Sequence, residues 1–286
     1  MRWRGRRGSG NIEDRRGRRG VSAGRAGGIG GFGLIAVLLI GWFFGIDVSP
    51  FLGDDAGMSS GPVQSRELSE AERQEGEFVS VVLADTEEVW AQVFEEQVGE
   101  PYDPATLVLF SQVTQSPCGG ASGATGPFYC PADQKAYLDT AFFTTLERQL
   151  GARGDFAAAY VVAHEIAHHV QDELGILGQA NAIRQQSSQE RSNAISVRVE
   201  LQADCYSGIF ARYAQERFGS IEPGDLEEAV NAARQIGDDQ LQRQAGRVPS
   251  PHTFTHGTSE QRARWFSIGY DTGDMAACDT FSAERL

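Results

Sequence analysis

The sequence HEIAHHVQ occupies residues 164–171 and contains the pentad H-E-x-x-H, with its two histidines at positions 164 and 168. Side chains four residues apart on a helix lie one turn above each other on the same face, so both imidazoles can bind one zinc ion. Glu165 stands beside the first histidine, where its carboxylate can take a proton from a water molecule on that ion. The pentad therefore predicts a zinc site with His164 and His168 as ligands.

The residues around the pentad predict a buried helix. Asp155 is the expected N-cap, small and apolar residues follow it, and Gly175 is the expected end of the helix. His169 is rotated by about 100° from His168 on a regular helix, so it cannot reach the same ion. We interpret His169 as a packing residue or as a support for the ligands. A chance pair of histidines on a helix is the alternative to a zinc site.

A second stretch, ELQAD at residues 200–204, places two carboxylates on one face of a long helix predicted over 192–218. Two acidic side chains so placed repel each other unless a cation lies beside them. Catalytic zinc commonly has three protein ligands, and two histidines with one glutamate form an established set. We predict that Glu200 is the third ligand and that Asp204 accepts the free ring N–H of a ligand histidine. The alternative is a solvated acidic helix face.

The beginning of the chain differs in composition from the rest. Nine of the 25 basic residues lie before residue 26, against two of the 39 acidic ones, so the remainder (16 basic, 37 acidic) has a net charge of −21. This acidity argues against nucleic acid as a partner of the folded domain. Residues 29–46 contain no charge, and as a helix they would extend about 27 Å, close to the thickness of a bilayer core.

These features predict four segments: a disordered basic segment over residues 1–28, a transmembrane helix over 29–46, a flexible linker over 47–67 and a folded domain over 68–286. The arginine-rich side should stay in the cytoplasm. We therefore expect a single-pass protein of the inner membrane, with its domain in the periplasm or outside the cell. A cleaved signal peptide is the alternative.

The four cysteines agree with an oxidising compartment. No C-x-x-C occurs in the sequence, which argues against a second, structural zinc site. Disulfides are expected instead, and we favour Cys118 with Cys130 and Cys205 with Cys278. The alternative is four free, buried thiols.

The remaining pattern predicts a mostly helical α+β domain with a small sheet. Ser69 and Glu72 match a capping box at the start of a helix, and Asp85-Thr86 is a predicted break between two helices. Thr258 and Gln261 match a second capping box. The other assignments are a strand over 107–113, a loop over 116–127, short strands at 128–130 and 136–138, a helix beginning at 139 or 140, and a polar segment with little periodicity over 179–191.

Several motifs resemble those of the neutral zinc metallopeptidase family of bacteria, over nearly the whole chain. They are Met1-Arg2-Trp3, the stretches 11–16, 126–130 and 164–171, Glu200 to Cys205, Phe254 to Gly257, and Cys278 to Phe281. The E-x-x-A-D element is also similar to that of integral-membrane zinc proteases related to the prenyl-protein endopeptidases, in which the glutamate is a zinc ligand. The resemblance implies a zincin-like metallopeptidase core and supports Glu200 over Asp204 as the ligand.

The resulting hypothesis is a membrane-anchored, zinc-dependent endopeptidase whose partner is a protein or peptide substrate. Glu165 is the expected general base. His256, which precedes Gly257 in a rigid loop, is the expected donor to the developing oxyanion, and an ordinary surface histidine is its alternative. The rival to an enzyme is a tethered binding or scaffold module that holds zinc and hydrolyses nothing.

Overall fold

The structure is a computed structural model that describes residues 1–17, 66–122 and 126–286. Its larger sheet has the strand order β1-β2-β6-β5. The strands are β1 (Ile12–Asp14), β2 (Thr106–Phe110), β5 (Phe128–Cys130) and β6 (Lys135–Asp139), with β1 and β6 parallel to β2 and β5 antiparallel to β6. β3 (Val113–Ser116) and β4 (Gly119–Ser122) form a separate antiparallel hairpin.

Helices make up most of the described chain, as the sequence predicts. The α-helices are α1 Glu70–Val93, α2 Ala141–Arg148, α3 Asp155–Glu173, α4 Ile176–Gln185, α5 Gln189–Phe218, α6 Asp225–Gln235, α7 Asp238–Gln244 and α8 Ser259–Thr272. A π-helical turn at Phe94–Val98 follows α1, and 3₁₀ turns lie at Pro251–Thr253 and Met275–Cys278. Helix α3 packs against α5, α6, β5 and β6, so the predicted metal helix is central to the domain.

The capping boxes and the cysteine pairs are confirmed. Ser69 with Glu72 caps α1, and Thr258 with Gln261 caps α8. Both predicted disulfides form, Cys118–Cys130 and Cys205–Cys278, so no cysteine of the chain is a free thiol. The second of them attaches the C-terminal 3₁₀ turn to α5.

The predicted break at Asp85-Thr86 is wrong, because α1 continues through both residues. The Thr86 hydroxyl donates to the Leu83 carbonyl inside the helix, and Asp85 pairs with Arg6 at 2.5 Å. The helix continues in spite of the low helix propensity of these two residues, because both polar side chains have partners. Two further assignments also change: the polar segment after α3 contains helix α4, and the glycine-rich loop contains strand β4, paired with β3.

The prediction of disorder over residues 1–28 is wrong for residues 1–17, which belong to the folded domain. Trp3 is buried and makes an edge-to-face contact with Phe78 of α1, at 5.4 Å between ring centroids. β1 adds a parallel strand to the sheet, and the buried Arg16 guanidinium donates to the Glu72 carbonyl of α1. Partners from residues 66 onward thus compensate the charge and polarity that favour disorder in isolation.

The predicted transmembrane helix, 29–46, and nearly all of the predicted linker lie outside the described residues. Among residues 1–17, 66–122 and 126–286, no helix is both long and apolar enough to cross a membrane.

The crossing of α5 and α8 depends on two glycines that let the backbones touch. A Cβ on Gly269 of α8 would lie 1.8 Å from the Cys205 carbonyl oxygen, and one on Gly208 of α5 would lie 2.0 Å from the Phe266 carbonyl oxygen. Both obstacles are backbone atoms, which cannot move without shifting a helix. This close crossing positions the middle of α5, where ELQAD lies.

Gly269→Ala should therefore lower the free energy of unfolding by about 3 kcal/mol or more, the cost of overpacking a site that cannot yield. The measurement is urea denaturation followed by circular dichroism. Gly178→Ala on α4 is the matched control, because a Cβ there meets nothing within 4 Å, and it should be neutral or stabilising by up to about 1 kcal/mol. Equal stability of the two variants would contradict this account of the crossing.

Candidate metal centre

Two imidazoles and one carboxylate converge where α3 faces α5. The ligand atoms of His164, His168 and Glu200 all lie within 4.8 Å of one another. Nε2 of His164 is 3.1 Å from Oε2 of Glu200, and Nε2 of His168 is 3.6 Å from Oε1 of the same carboxylate. The structure thus brings the three predicted ligands together, with the two histidines one turn apart on α3. Their chemistry, two nitrogens and one oxygen, fits a zinc ion.

Each histidine has an acceptor at its other ring nitrogen, so each can leave Nε2 unprotonated for a metal. Nδ1 of His168 donates to Oε1 of Gln171 at 2.8 Å. Nδ1 of His164 lies 3.0 Å from Oδ1 of Asp204, although the ring is not aligned for a linear hydrogen bond and this nitrogen otherwise lacks a partner. At this distance a small rotation of the ring would align the pair. The predicted role of Asp204 agrees with this geometry.

Asp204 is fully buried and carries its own counter-ion. Arg262 of α8 approaches it in a bidentate manner, with Nε 2.9 Å from Oδ2 and Nη2 3.0 Å from Oδ1. The Tyr160 hydroxyl also donates to Oδ1. Burial raises the pKa of Asp204, but the Arg262 charge and the His164 contact outweigh burial and lower it. Asp204 therefore remains a carboxylate in the interior.

The carboxylates attract positive charge to the donor set. Burial lowers the pKa of His164, yet Asp204 and Glu200 outweigh it and raise that pKa to about 9. Burial raises the pKa of Glu200, yet the charges of His168 and His256 outweigh it and hold that pKa well below its usual range. The point between these side chains thus favours a proton or a metal cation.

Glu165 is buried on α3 beside the donor set but supplies no ligand atom to it. Burial is the main cause that raises the pKa of its carboxyl, and the Glu200 charge adds to it, while His164 and His168 oppose it. A carboxylate with a raised pKa accepts a proton more readily than an ordinary one. Its position and chemistry both suit proton transfer next to the metal.

His256 lies in the loop before α8, and Asp238 holds that loop in place. One Asp238 carboxylate oxygen accepts the backbone N–H groups of Thr255, His256 and Gly257 at 2.7, 2.7 and 3.0 Å. Nδ1 of His256 lies 3.4 Å from the other oxygen. Burial lowers the pKa of His256, but Glu200 and Asp238 outweigh it and raise it. The charges of His256 and Glu200 thus act on each other.

A sequence profile of the family described as "Putative neutral zinc metallopeptidase" matches residues 1–281. The chain belongs to this family. It is 46% identical to "Uncharacterized protein YpfJ" of Escherichia coli K12 over 289 residues, which covers 98% of this chain and 99% of the relative. It is 48% identical to "Uncharacterized protein Mb2605" of Mycobacterium bovis over 195 residues, 65% of each protein. No solved structure gives a significant match.

The family profile matches from residue 1. The matched region therefore includes the N-terminal segment, whose strand β1 pairs with β2. The amino group of Met1 lies 2.5 Å from Asp155, the first residue of α3, and 3.2 Å from Asp225. These two carboxylates and Glu228 form a second acidic group whose oxygens could hold a cation. The Met1 ammonium supplies the positive charge there.

His169 lies outside the donor set, as the helical geometry predicts. Its Nε2 is 2.7 Å from the Asp103 carbonyl oxygen, and its Nδ1 is 3.1 Å from the Tyr129 hydroxyl. Both ring nitrogens thus contact the surrounding structure, and His169 attaches α3 to the segments that contain Asp103 and Tyr129.

Sequence reasoning missed four residues that hold the site: Tyr160, Gln171, Asp238 and Arg262. A signal existed for Gln171, which follows His168 by three residues, and for Tyr160, which precedes His164 by four, because both spacings place the side chains on one helix face. Asp238 and Arg262 reach the site from distant parts of the chain, and nothing near them in the sequence indicates it.

Glu200→Ala should abolish stoichiometric zinc binding, because it removes one of three ligands. Zinc content after dialysis, measured by plasma emission spectrometry, tests this. Glu216→Ala is the matched control, since Glu216 lies on the same helix and pairs with Arg212 at the surface. One zinc ion per chain retained by the Glu200 variant would assign the third ligand elsewhere.

Proposed function

We propose that this protein is a zinc-dependent endopeptidase that hydrolyses peptide bonds. The observation that carries the proposal is Glu165, a buried carboxylate next to a three-ligand donor set in which it takes no part. A zinc site that served only structure would have no need of an acid at this position. The family to which the chain belongs supports the same reading.

Each residue of the site has a separate role in the proposed hydrolysis. His164, His168 and Glu200 would hold zinc, which supplies a Lewis acid that polarises a carbonyl and lowers the pKa of water. Glu165 accepts a proton from the attacking water and delivers it to the leaving amine. His256, held by Asp238, donates a hydrogen bond to the oxygen on which negative charge develops. Asp204 keeps the His164 ring in the orientation that the ion requires.

A groove of about 550 Å³ next to the His256 loop could receive part of the substrate. It lies between α5 and residues 251–258, and its apolar wall includes Val197, Phe254 and Gly257. Val197 precedes Glu200 by one helical turn, so a peptide side chain in the groove would lie close to the metal centre. We propose that the groove accepts an apolar side chain of a protein or peptide substrate.

We also propose that the domain works outside the cytoplasm, attached to the inner membrane through residues 29–46. The two disulfides support this location, because disulfides persist in oxidising compartments. The uncharged stretch at 29–46 supports attachment to a bilayer.

Glu165→Gln should retain zinc and lose at least about 100-fold in the rate of peptide hydrolysis, because an amide cannot accept the proton. The assay is cleavage of a quenched fluorescent peptide library by the zinc-loaded protein. Glu173→Gln, at the C-terminal end of the same helix, is the matched control and should keep the wild-type rate.

An unchanged rate in the Glu165 variant would remove this residue from the mechanism. A wild-type protein that binds zinc and a hydroxamate but cleaves no peptide or unfolded protein would instead favour the tethered scaffold module.

A further inference from the structure

We propose that a buried chain of amide groups positions the ligand His168 and ends at the Cys205–Cys278 disulfide, which thereby becomes part of the zinc site. The inference rests on the proposed zinc chemistry and extends it to residues with no contact to the metal. Gln171 and Gln202 are the positioning residues. The C-terminal turn, Met275–Cys278, is the last member of the chain.

The connection runs through three consecutive hydrogen bonds and reaches the disulfide at Cys278. Nδ1 of His168 lies 2.8 Å from Oε1 of Gln171, and Nε2 of Gln171 lies 3.0 Å from Oε1 of Gln202. Nε2 of Gln202 then donates to the Cys278 carbonyl at 3.1 Å. Cys278 is bonded to Cys205, three residues after Gln202 on α5. The metal ligand and the disulfide are therefore joined by hydrogen bonds alone.

The Cys278 carbonyl fixes which group donates and which accepts in each of these hydrogen bonds. A backbone carbonyl can only accept, so Gln202 must present its NH₂ to Cys278 and its oxygen to Gln171. Gln171 must then present its NH₂ to Gln202 and its oxygen to His168. The imidazole must donate from Nδ1, which leaves the Nε2 lone pair for zinc. The Cys278 carbonyl thus selects the tautomer of a ligand three hydrogen bonds away.

The hydrogen bonds between these side chains are shielded from water. Gln171 and Cys278 are 0% exposed and Gln202 is 5% exposed, so water cannot readily replace a lost partner. Gln171 has one additional acceptor, the Val199 carbonyl at 2.8 Å. Loss of Gln202 or of the disulfide should therefore loosen His168 without releasing it, whereas loss of Gln171 removes its direct partner.

The test of this hydrogen-bond chain is the zinc affinity of the full-length protein. It is measured by competition with a chromogenic chelator. Gln171→Leu should weaken zinc binding by about 10- to 100-fold, the usual effect of removing a partner of a metal ligand. Gln202→Met and the double variant Cys205→Ala/Cys278→Ala should each weaken it by roughly threefold to tenfold. The absorption bands of the Co²⁺-loaded variants should shift as well, which a purely structural defect would not produce.

The matched controls are Gln189→Leu, exposed on the same helix as Gln202, and Cys118→Ala/Cys130→Ala, which removes the other disulfide. Both should keep the wild-type affinity. Combining Gln202→Met with the Cys205/Cys278 variant should cost less than the product of the two separate losses, because both interrupt one chain. Wild-type affinity in the Gln202 variant, or a fully multiplicative combination, would overturn the inference. A wild-type protein without zinc affinity would overturn the proposed function instead.

A second inference follows from the ends of the undescribed segment 18–65. We infer that residues 1–17 and 66–286 lie on the same side of the membrane. The backbone N–H of Arg66 donates to the Gly17 carbonyl at 3.0 Å, and β1 pairs with β2 in the sheet. A single crossing by residues 29–46 would instead separate Gly17 from Arg66 by a hydrocarbon core about 30 Å thick. A cytoplasmic N-terminus and an exported domain are therefore incompatible with the folded sheet.

Labelling of single introduced cysteines in spheroplasts tests this, since the native cysteines are all in disulfides. Gly10→Cys and Gly178→Cys are matched, because both positions are exposed and a Cβ at either meets nothing within 4 Å. A membrane-impermeant maleimide should label both. Labelling of neither before lysis would keep the same-side inference but overturn the location outside the cytoplasm. Labelling of only one would overturn the inference.

Discussion

The buried charge of Asp204 is the constraint on which the arrangement of the site depends. An isolated carboxylate in a dry interior costs several kcal/mol, so it must be paired. Arg262 supplies the charge from α8, and His164 and Tyr160 supply further contacts from α3. The pair therefore fixes three helices relative to one another. Because Glu200 lies one turn before Asp204 on α5, the same pairing sets the position of the third metal ligand.

Much of the metal centre could be predicted because its chemistry is local in sequence. The pentad and ELQAD each place their side chains on one face of one helix, and helical spacing alone fixes which of them point together. What spacing cannot give is the relation between helices. Arg262 and Asp238 act across long sequence separations, so their roles exist only after α7 and α8 have packed. Gly208 and Gly269, which permit that packing, resemble any other helical glycines in the sequence.

The prediction of disorder fails for the N-terminal segment for a related reason. Residues 1–17 are rich in arginine and glycine, a composition that cannot form a core by itself. Their order comes from partners elsewhere: Phe78 against Trp3, Asp85 against Arg6, and β2 against β1. The same partners explain why α1 is not broken at Asp85. Composition describes what a segment would do alone, whereas this segment completes a sheet that begins some 90 residues later in the chain.

The two histidine ligands are supported by chemically different acceptors, and this difference affects the charge of the site. A carboxylate at His164 brings a negative charge, which Arg262 cancels, while the amide at His168 brings none. A divalent ion would add two positive charges next to Glu200, whose pKa is held well below its usual range. Net charge is costly in a low-dielectric interior. A carboxylate in place of Gln171 would bury a further negative charge on the His168 side of the site, where Arg262 does not pair with it, whereas the amide supports the histidine without adding charge.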